Sequence, residues 1–333
     1  IRTFSLEHLR GRSLDVLSSG EKQRVAIASV YALRPGVYVC DEPTANLDGE
    51  GAKQLAGVLK KLKDEGCALV IAEHRLAWLS GNDDLFLYLA NGLILREKTP
   101  AEMEHMSVGE RETYGLREVV ESSFPMLPSP DMEDVFIQAE GLSCKRKGNR
   151  IFCQLSLSFC AGKITAVTGR NGAGKTSLAM VLSGQWKESG GNVMIGGEKL
   201  RAAGRRRRVW YSANDTSTQF FTNSVTEELL LGDHRSQSRL ERARELLKQL
   251  GLYVYKDAHP ATLSGGQKQR LSLACGILSG RDVLIFDEPT SGLDGGNMRI
   301  IADMLRDEAD KGKTILVITH DGELIRRCCD RMV

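Results

Sequence analysis

Gly169-Arg170-Asn171-Gly172-Ala173-Gly174-Lys175-Thr176 follows the apolar run Lys163 to Thr168 and precedes the helix-like run Ser177 to Leu182. Strand, glycine-rich turn and helix in that order form the context in which such a turn binds phosphate. The glycines let the backbone curl so that successive N–H groups point inward, and the helix N-terminus adds a partial positive charge. Lys175 then neutralises phosphate oxygens and Thr176 ligates Mg²⁺, with Ser177 beside them. A fold follows from this reading: apolar strands alternating with helices predict a parallel sheet covered on both faces.

Working outward, the chain contains an internal repeat. Leu263-Ser264-Gly265-Gly266-Gln267-Lys268-Gln269-Arg270 is matched by Leu17-Ser18-Ser19-Gly20-Glu21-Lys22-Gln23-Arg24. Asp287-Glu288-Pro289-Thr290 is matched by Asp41-Glu42-Pro43-Thr44. Ser18 and Ser264, Asp41 and Asp287, Asp48 and Asp294, His74 and His320 are each 246 positions apart. One unit used twice accounts for a constant offset across these motifs. The phosphate loop is not matched, because its counterpart would fall ahead of residue 1. The first unit is therefore expected to be represented by its back half alone.

In the second copy Asp287 ends an apolar strand, where a carboxylate holds a metal through water, and Glu288 is the candidate base for an attacking water. His320, closing the strand Ile315 to Thr319, is the candidate γ-phosphate contact. Asp41, Glu42 and His74 are their first-copy equivalents. Ser264-Gly265-Gly266 opens a helix and reads either as an N-cap with glycines or as a second anion site. In the second reading it faces a phosphate bound by another unit.

The remaining composition is bland. The chain has 333 residues, 41% of them hydrophobic, and a formal charge of +2, so no global field favours nucleic acid or an anionic membrane. No nucleic-acid partner is expected. Eight cysteines without CxxC spacing read as buried free thiols of a reducing compartment. No apolar run approaches the ~18 residues that span a bilayer. The run Arg205 to Arg208 reads as a solvated face, with contact to a partner's acidic loop as the sharper alternative.

The ordered set resembles the ATP-binding-cassette ATPase family, with Walker A, signature, Walker B, D-loop and H-loop all present between 135 and 333. The resemblance implies an α/β P-loop NTPase of the ABC cassette type, one cassette nearly complete and one represented by its C-terminal half. It implies ATP and Mg²⁺ as ligands, with Thr176 and Asp287 on the metal and Asp48 and Asp294 in the D-loops. It further implies head-to-tail pairing, in which Ser18, Ser19, Gly20 and Glu21 close over the ATP held by Gly169 to Thr176. Ser264, Gly265, Gly266 and Gln267 would serve the mirror site.

More narrowly the chain resembles the fused two-cassette ATPase of energy-coupling factor importers. The residues are Leu17 to Leu33, the DEPTANLD run from Asp41 to Asp48, and Gln219-Phe220-Phe221-Thr222-Asn223-Ser224-Val225. That likeness implies a peripheral subunit at the cytoplasmic face of the membrane, partnered by transmembrane scaffold and substrate-binding subunits and serving vitamin or metal uptake. Two positions depart from the pattern: Asn214 aligns with the Q-loop glutamine, five residues before Gln219, and Arg146 aligns with the aromatic that stacks on adenine. A guanidinium also stacks on a base. The rival expectation is a soluble tandem cassette acting in translation or repair. Translation-type cassettes carry Asn-His-Leu-Asp where this chain has Ala45-Asn46-Leu47-Asp48 and Ser291-Gly292-Leu293-Asp294, which favours transport. The expected organisation is 1–96 for the first half-cassette, 97–134 as a linker with a short helix before its prolines, and 135–333 for the second cassette without its C-terminal hairpin.

Overall fold

The structure is a computed structural model that describes all residues except 1–3, 5, 15, 16, 18, 46, 121–126, 128–133, 147, 217, 218 and 232–235. Ser18, Asn46, Pro125, Pro128 and Pro130 thus lie outside the described residues. The chain divides into two compact units, Ile1–Ser123 with Asp294–Gly296, and Phe124–Leu293 with Asn297–Val333.

In the first unit the elements are α1 (Ser19–Ala32), β1 (Val37–Asp41), α2 (Gly49–Asp64), β2 (Ala68–Ala72), β3 (Phe86–Ala90), β4 (Leu93–Lys98), α3 (Pro100–Glu104) and α4 (Val108–Thr113). Strands β1 and β2 pair in parallel, and β3 and β4 form an antiparallel hairpin. Side chains alternate across a strand, so Tyr38, Leu69 and Ile71 share one face. That face packs with Leu55, Leu59 and Leu62 of α2 and with Ile27 and Tyr31 of α1. The opposite face corrects the expectation of buried strands: Val39 is 76% exposed and Val70 56%. The sheet has two strands here, and its helices cover only one side. Within the stretch read as a linker, Thr99 with Glu102 and Ser107 with Glu110 form reciprocal capping boxes that start α3 and α4. Met103, Met106 and Val119 pack with Leu76 into a small core of their own.

The second unit comprises β5 (Val135–Arg146), β6 (Asn149–Cys160), β7 (Ile164–Val167), α5 (Lys175–Leu182), β8 (Gly190–Ile195), β9 (Glu198–Lys199), α6 (Ala202–Arg208), β10 (Val209–Ser212), α7 (Val225–Leu230), α8 (Gln237–Gln249), α9 (Gly265–Leu278), β11 (Val283–Asp287), α10 (Gly295–Asp310), β12 (Thr314–Ile318), α11 (Gly322–Cys328) and β13 (Arg331–Met332). A parallel sheet runs β10-β11-β12-β7-β13, beside an antiparallel sheet β6-β5-β8-β9. Because β11 and β12 are apolar at every core position, both faces are buried. Leu284, Phe286, Ile315 and Val317 meet the core built on α7 to α11. Val283, Ile285, Leu316 and Ile318 meet Leu178, Val181 and Leu182 of α5 and the antiparallel sheet. Each such side chain contributes about 1.5–3 kcal/mol relative to exposure.

Two surface expectations change. The arginine run is only in part a solvated face: Arg206 and Arg207 are exposed, but Arg205 is fully buried, pairs with Glu188 and donates to the Leu200 carbonyl at 2.8 Å. Arg206 donates to the Gly184 carbonyl and Arg208 pairs with Asp282. A buried guanidinium needs a carboxylate beside it, and Glu188 supplies one. Of the cysteines, Cys144, Cys160, Cys275, Cys328 and Cys329 are buried, whereas Cys153 is exposed.

Candidate nucleotide site

The loop from Gly169 to Gly174 leaves the end of β7 and enters α5. Gly174, at φ +99, is the N-cap of α5, and a Cβ there would stand 3.0 Å from the Ile151 side chain. Both the left-handed backbone and the close approach require glycine. Gly169 and Gly172 are also left-handed, and the Ala173 N–H donates to the Arg170 carbonyl at 3.2 Å. Asn171, Gly172 and Ala173 are exposed at the turn.

Four elements bring their polar ends to this loop. The Lys175 ammonium donates to the carbonyls of Gly169 at 2.5 Å and Arg170 at 3.1 Å, and lies 3.1 Å from His320 Nε2. Thr176 Oγ1 donates to Asp287 Oδ2 at 2.7 Å, and Tyr211 Oη donates to the same oxygen at 3.3 Å. Asp287 is 4% exposed. Burial pushes its carboxyl pKa up, while the hydroxyls of Thr176 and Tyr211 and the Lys175 charge act in the opposite direction. Burial and the neighbouring Asp287 push the Tyr211 phenol up, so it remains a donor.

Glu288 follows at the strand end in a left-handed conformation, φ +51, with its N–H on the Ile318 carbonyl at 2.8 Å. Its carboxylate accepts from Thr319 Oγ1 at 3.1 Å, and its other oxygen lies 4.0 Å from His320 Nε2. A non-glycine residue in that region is strained, and such strain gathers at functional sites. Just behind, the buried Thr290 hydroxyl donates to Asp321 at 2.6 Å and ties the two turns together.

The other candidates lie elsewhere. Asn214 accepts from Gln269 of α9 through its backbone carbonyl at 2.9 Å, and the Gln219 amide oxygen accepts from Ser272 at 3.1 Å, so both are tied to the helix that Ser264 opens. Ser264 and Gln267 form a capping box at the start of α9. Gly266 is needed for space, since a Cβ would come within 2.7 Å of Leu293, whereas Gly265 faces open room. The Arg146 guanidinium lies over the Trp186 ring, 4.1 Å from its centroid. Asp294 immediately precedes α10.

In the first unit Ser19, Gly20 and Glu21 lie at the start of α1, and Asp48 caps α2 by accepting from the Gly51 N–H at 2.9 Å. Asp41 ends β1. Glu42 is again left-handed, φ +41, with its N–H on the Ala72 carbonyl and its carboxylate 3.5 Å from His74 Nε2.

The motif reading missed Tyr211, Thr319 and Glu73. For Thr319 a signal existed. Once β11 and β12 are aligned in parallel, with Asp287 opposite Ile318, the next residues on the two strands are neighbours. Tyr211 gave none, because a tyrosine at a strand end reads as packing.

Residues 1–45 and 152–291 match the ABC transporter family. A Treponema denticola protein named as an ABC transporter ATP-binding protein is 37% identical over 99% of this chain and 68% of its own length. A Bacillus subtilis protein named as an HMP/thiamine import ATP-binding protein is 29% identical over 100% of this chain and 68% of its own. Among solved structures, ribosome-bound archaeal ABCE1 with Pelota superposes with a TM-score of 0.75 at 27% identity, covering 99% of this chain and 56% of that one. The chain spans about two thirds of the curated relatives it matches and a smaller share of that solved chain. With its phosphate loop, its Asp-Glu strand end and its paired histidine in one α/β unit, the chain belongs to the ABC transporter ATP-binding family, a family of ATPases.

Proposed function

We propose that this chain is the ATP-binding and ATP-hydrolysing part of a subunit that powers a membrane importer, of the energy-coupling factor type, for a vitamin or a metal ion. The observation that carries the ATP-binding and hydrolysing part of the proposal is the convergence of Lys175, Thr176, Asp287, Glu288 and His320 at the mouth of one glycine-rich loop. The residues fit Mg²⁺: Thr176 Oγ1 and Asp287 Oδ2 are hard oxygen donors 2.7 Å apart, and Mg²⁺ favours one or two such groups plus water and phosphate oxygens. Held by Thr176 and Asp287, Mg²⁺ would supply positive charge against the charge that develops on the phosphates. Lys175 and the loop N–H groups hold the β- and γ-phosphates. Glu288, steadied by Thr319, accepts the proton of the attacking water, and His320 contacts the γ-phosphate.

In this reading Ser19 and Gly20 at the α1 start, with Ser18 and Glu21, close over the ATP from the facing cassette, and closure is driven by phosphate contacts. The partners are transmembrane scaffold and substrate-binding subunits, and the place of work is the cytoplasmic face of the membrane. No helix among the described residues is long and apolar enough to cross a membrane, so membrane attachment would run through those partners. The B. subtilis relative is named for HMP/thiamine import, which supports the vitamin branch.

A second reading, a tandem cassette without a transport role, draws on the structural likeness to ribosome-bound ABCE1. Fractionation of the intact protein separates them: recovery with membranes together with apolar subunits supports import, and recovery with ribosomes rejects it. For the site, Lys175→Ala should weaken ATP binding about tenfold or more, since hydrogen bonds to charged groups are worth about 1.5–3 kcal/mol. Unchanged affinity by equilibrium titration would remove the loop from the mechanism.

A further inference from the structure

We infer that Tyr211 is a positioning residue for Asp287 and, through it, sets how tightly the site holds its divalent cation. The inference rests on the ATP·Mg²⁺ reading above and adds a residue outside every motif of the sequence. Tyr211 lies on β10, opposite Ile285 in the parallel register. By strand alternation Ile285 and Asp287 share a face, and the Tyr211 ring packs into the core that contains Ile285. From there its phenol extends along the sheet to Asp287 Oδ2 at 3.3 Å, the oxygen that also accepts from Thr176 at 2.7 Å.

Asp287 Oδ2 is thereby held by hydroxyls from two elements, β10 and the start of α5. The consequence is geometric. Thr176 has one proton: donating it to Asp287 leaves its lone pairs free for a metal, but makes it the carboxylate's only hydroxyl partner if Tyr211 is removed. The phenol supplies a second donor that the cation does not claim, so the carboxylate keeps its rotamer whether or not Thr176 turns toward the metal. With both hydroxyls on Oδ2, the carboxylate plane is fixed, and with it the oxygens that it would offer to the ion's hydration shell. A shell bound at a preset oxygen loses less freedom on binding, which is how outer partners tune metal affinity.

The Tyr211→Phe substitution keeps the packed ring and removes the hydroxyl alone. Binding of a non-hydrolysable ATP analogue to the intact protein is titrated in EDTA and against Mn²⁺, with the Mn²⁺ spectrum followed by electron paramagnetic resonance. The expected result is unchanged affinity in EDTA and a half-saturating Mn²⁺ concentration raised about three- to tenfold, the net worth of one ordinary hydrogen bond. In an Asp287→Asn background the same substitution should have no further effect on the Mn²⁺ requirement. An identical Mn²⁺ dependence overturns the inference, as does an equal loss with and without metal, which would make Tyr211 a packing residue. A wild-type protein whose nucleotide binding gains nothing from Mn²⁺ would instead overturn the ATP·Mg²⁺ reading on which the inference stands.

Discussion

Strands β1 and β2 of the first unit and β11 and β12 of the second are the same ladder in different surroundings. Val37 pairs with Ala68 and Val283 with Thr314, so the register is preserved at the 246-residue offset. On one face the copies agree: Tyr38 and Leu284 are both buried against helices. On the other they part, since Val39 is exposed where its counterpart Ile285 is covered by the core that includes α5. A strand's sequence thus decides which side chains share a face and leaves open what covers it. The turns after these strands differ in the same manner. Glu288 is met by the Thr319 hydroxyl, a donor. At the position equivalent to Thr319 the first unit has Glu73, whose carboxylate accepts from Thr44 at 2.6 Å, from the His74 and Arg75 N–H groups and from Trp78.

If this difference in neighbours matters for chemistry, the two glutamates are unequal. Glu288→Gln should lower ATP turnover of the intact protein about 10²-fold or more, the scale of a lost general base, while nucleotide binding persists. Glu42→Gln should lower it several-fold less, because Glu42 lacks a hydroxyl at the Thr319 position. Steady-state phosphate release with each variant checks both, and equal losses would show that the surrounding donors are immaterial.

The covered and open faces give the next contrast. Ile285→Ala leaves a cavity in a packed core and should destabilise by about 2–4 kcal/mol. Val39→Ala, at a position already in water, should change stability by no more than about 0.5 kcal/mol. Urea unfolding of the two variants measures the difference. A large loss at Val39 would mean that this face is covered in solution.

How far the sequence itself carried these conclusions follows from the same contrast. The phosphate loop, the signature helix and β11 were legible because their chemistry is local. Three glycines near a lysine need a curled backbone, Ser264 ahead of two glycines reads as an N-cap, and Val283-Leu284-Ile285-Phe286 has no polar residue to turn outward. Three features were not legible. Burial of Arg205 depends on Glu188, 17 positions away, so an arginine run cannot by itself be told from a solvated one. The folding of 99–119 rests on Met103, Met106 and Val119 meeting Leu76, which the composition of that stretch does not reveal. Tyr211 reaches Asp287 across a strand boundary that only the sheet order defines.

The smallest expected effect lies in the charge that Glu73 places beside Glu42. Burial pushes the Glu42 carboxyl above its ordinary value of 4.5; His74 acts against this shift, and Glu73 and Asp41 add to it. A carboxyl raised on folding binds its proton more tightly in the native state than in the unfolded one. Stability therefore falls as pH rises from the unfolded pKa through the raised native one. Glu73→Gln removes the neighbouring charge and keeps an amide oxygen for Thr44, so Glu42 should return toward its ordinary range and that part of the pH-dependent loss should shrink. The variant should be less stable overall, since a neutral amide replaces a carboxylate that accepts four hydrogen bonds, and the absolute value is not the test. The readout is the slope of the urea midpoint against pH just above 4.5, shallower in Glu73→Gln than in the wild type. An unchanged slope would show that solvent screens the pair at this half-exposed turn, although Glu42 and Glu288 share the same left-handed backbone.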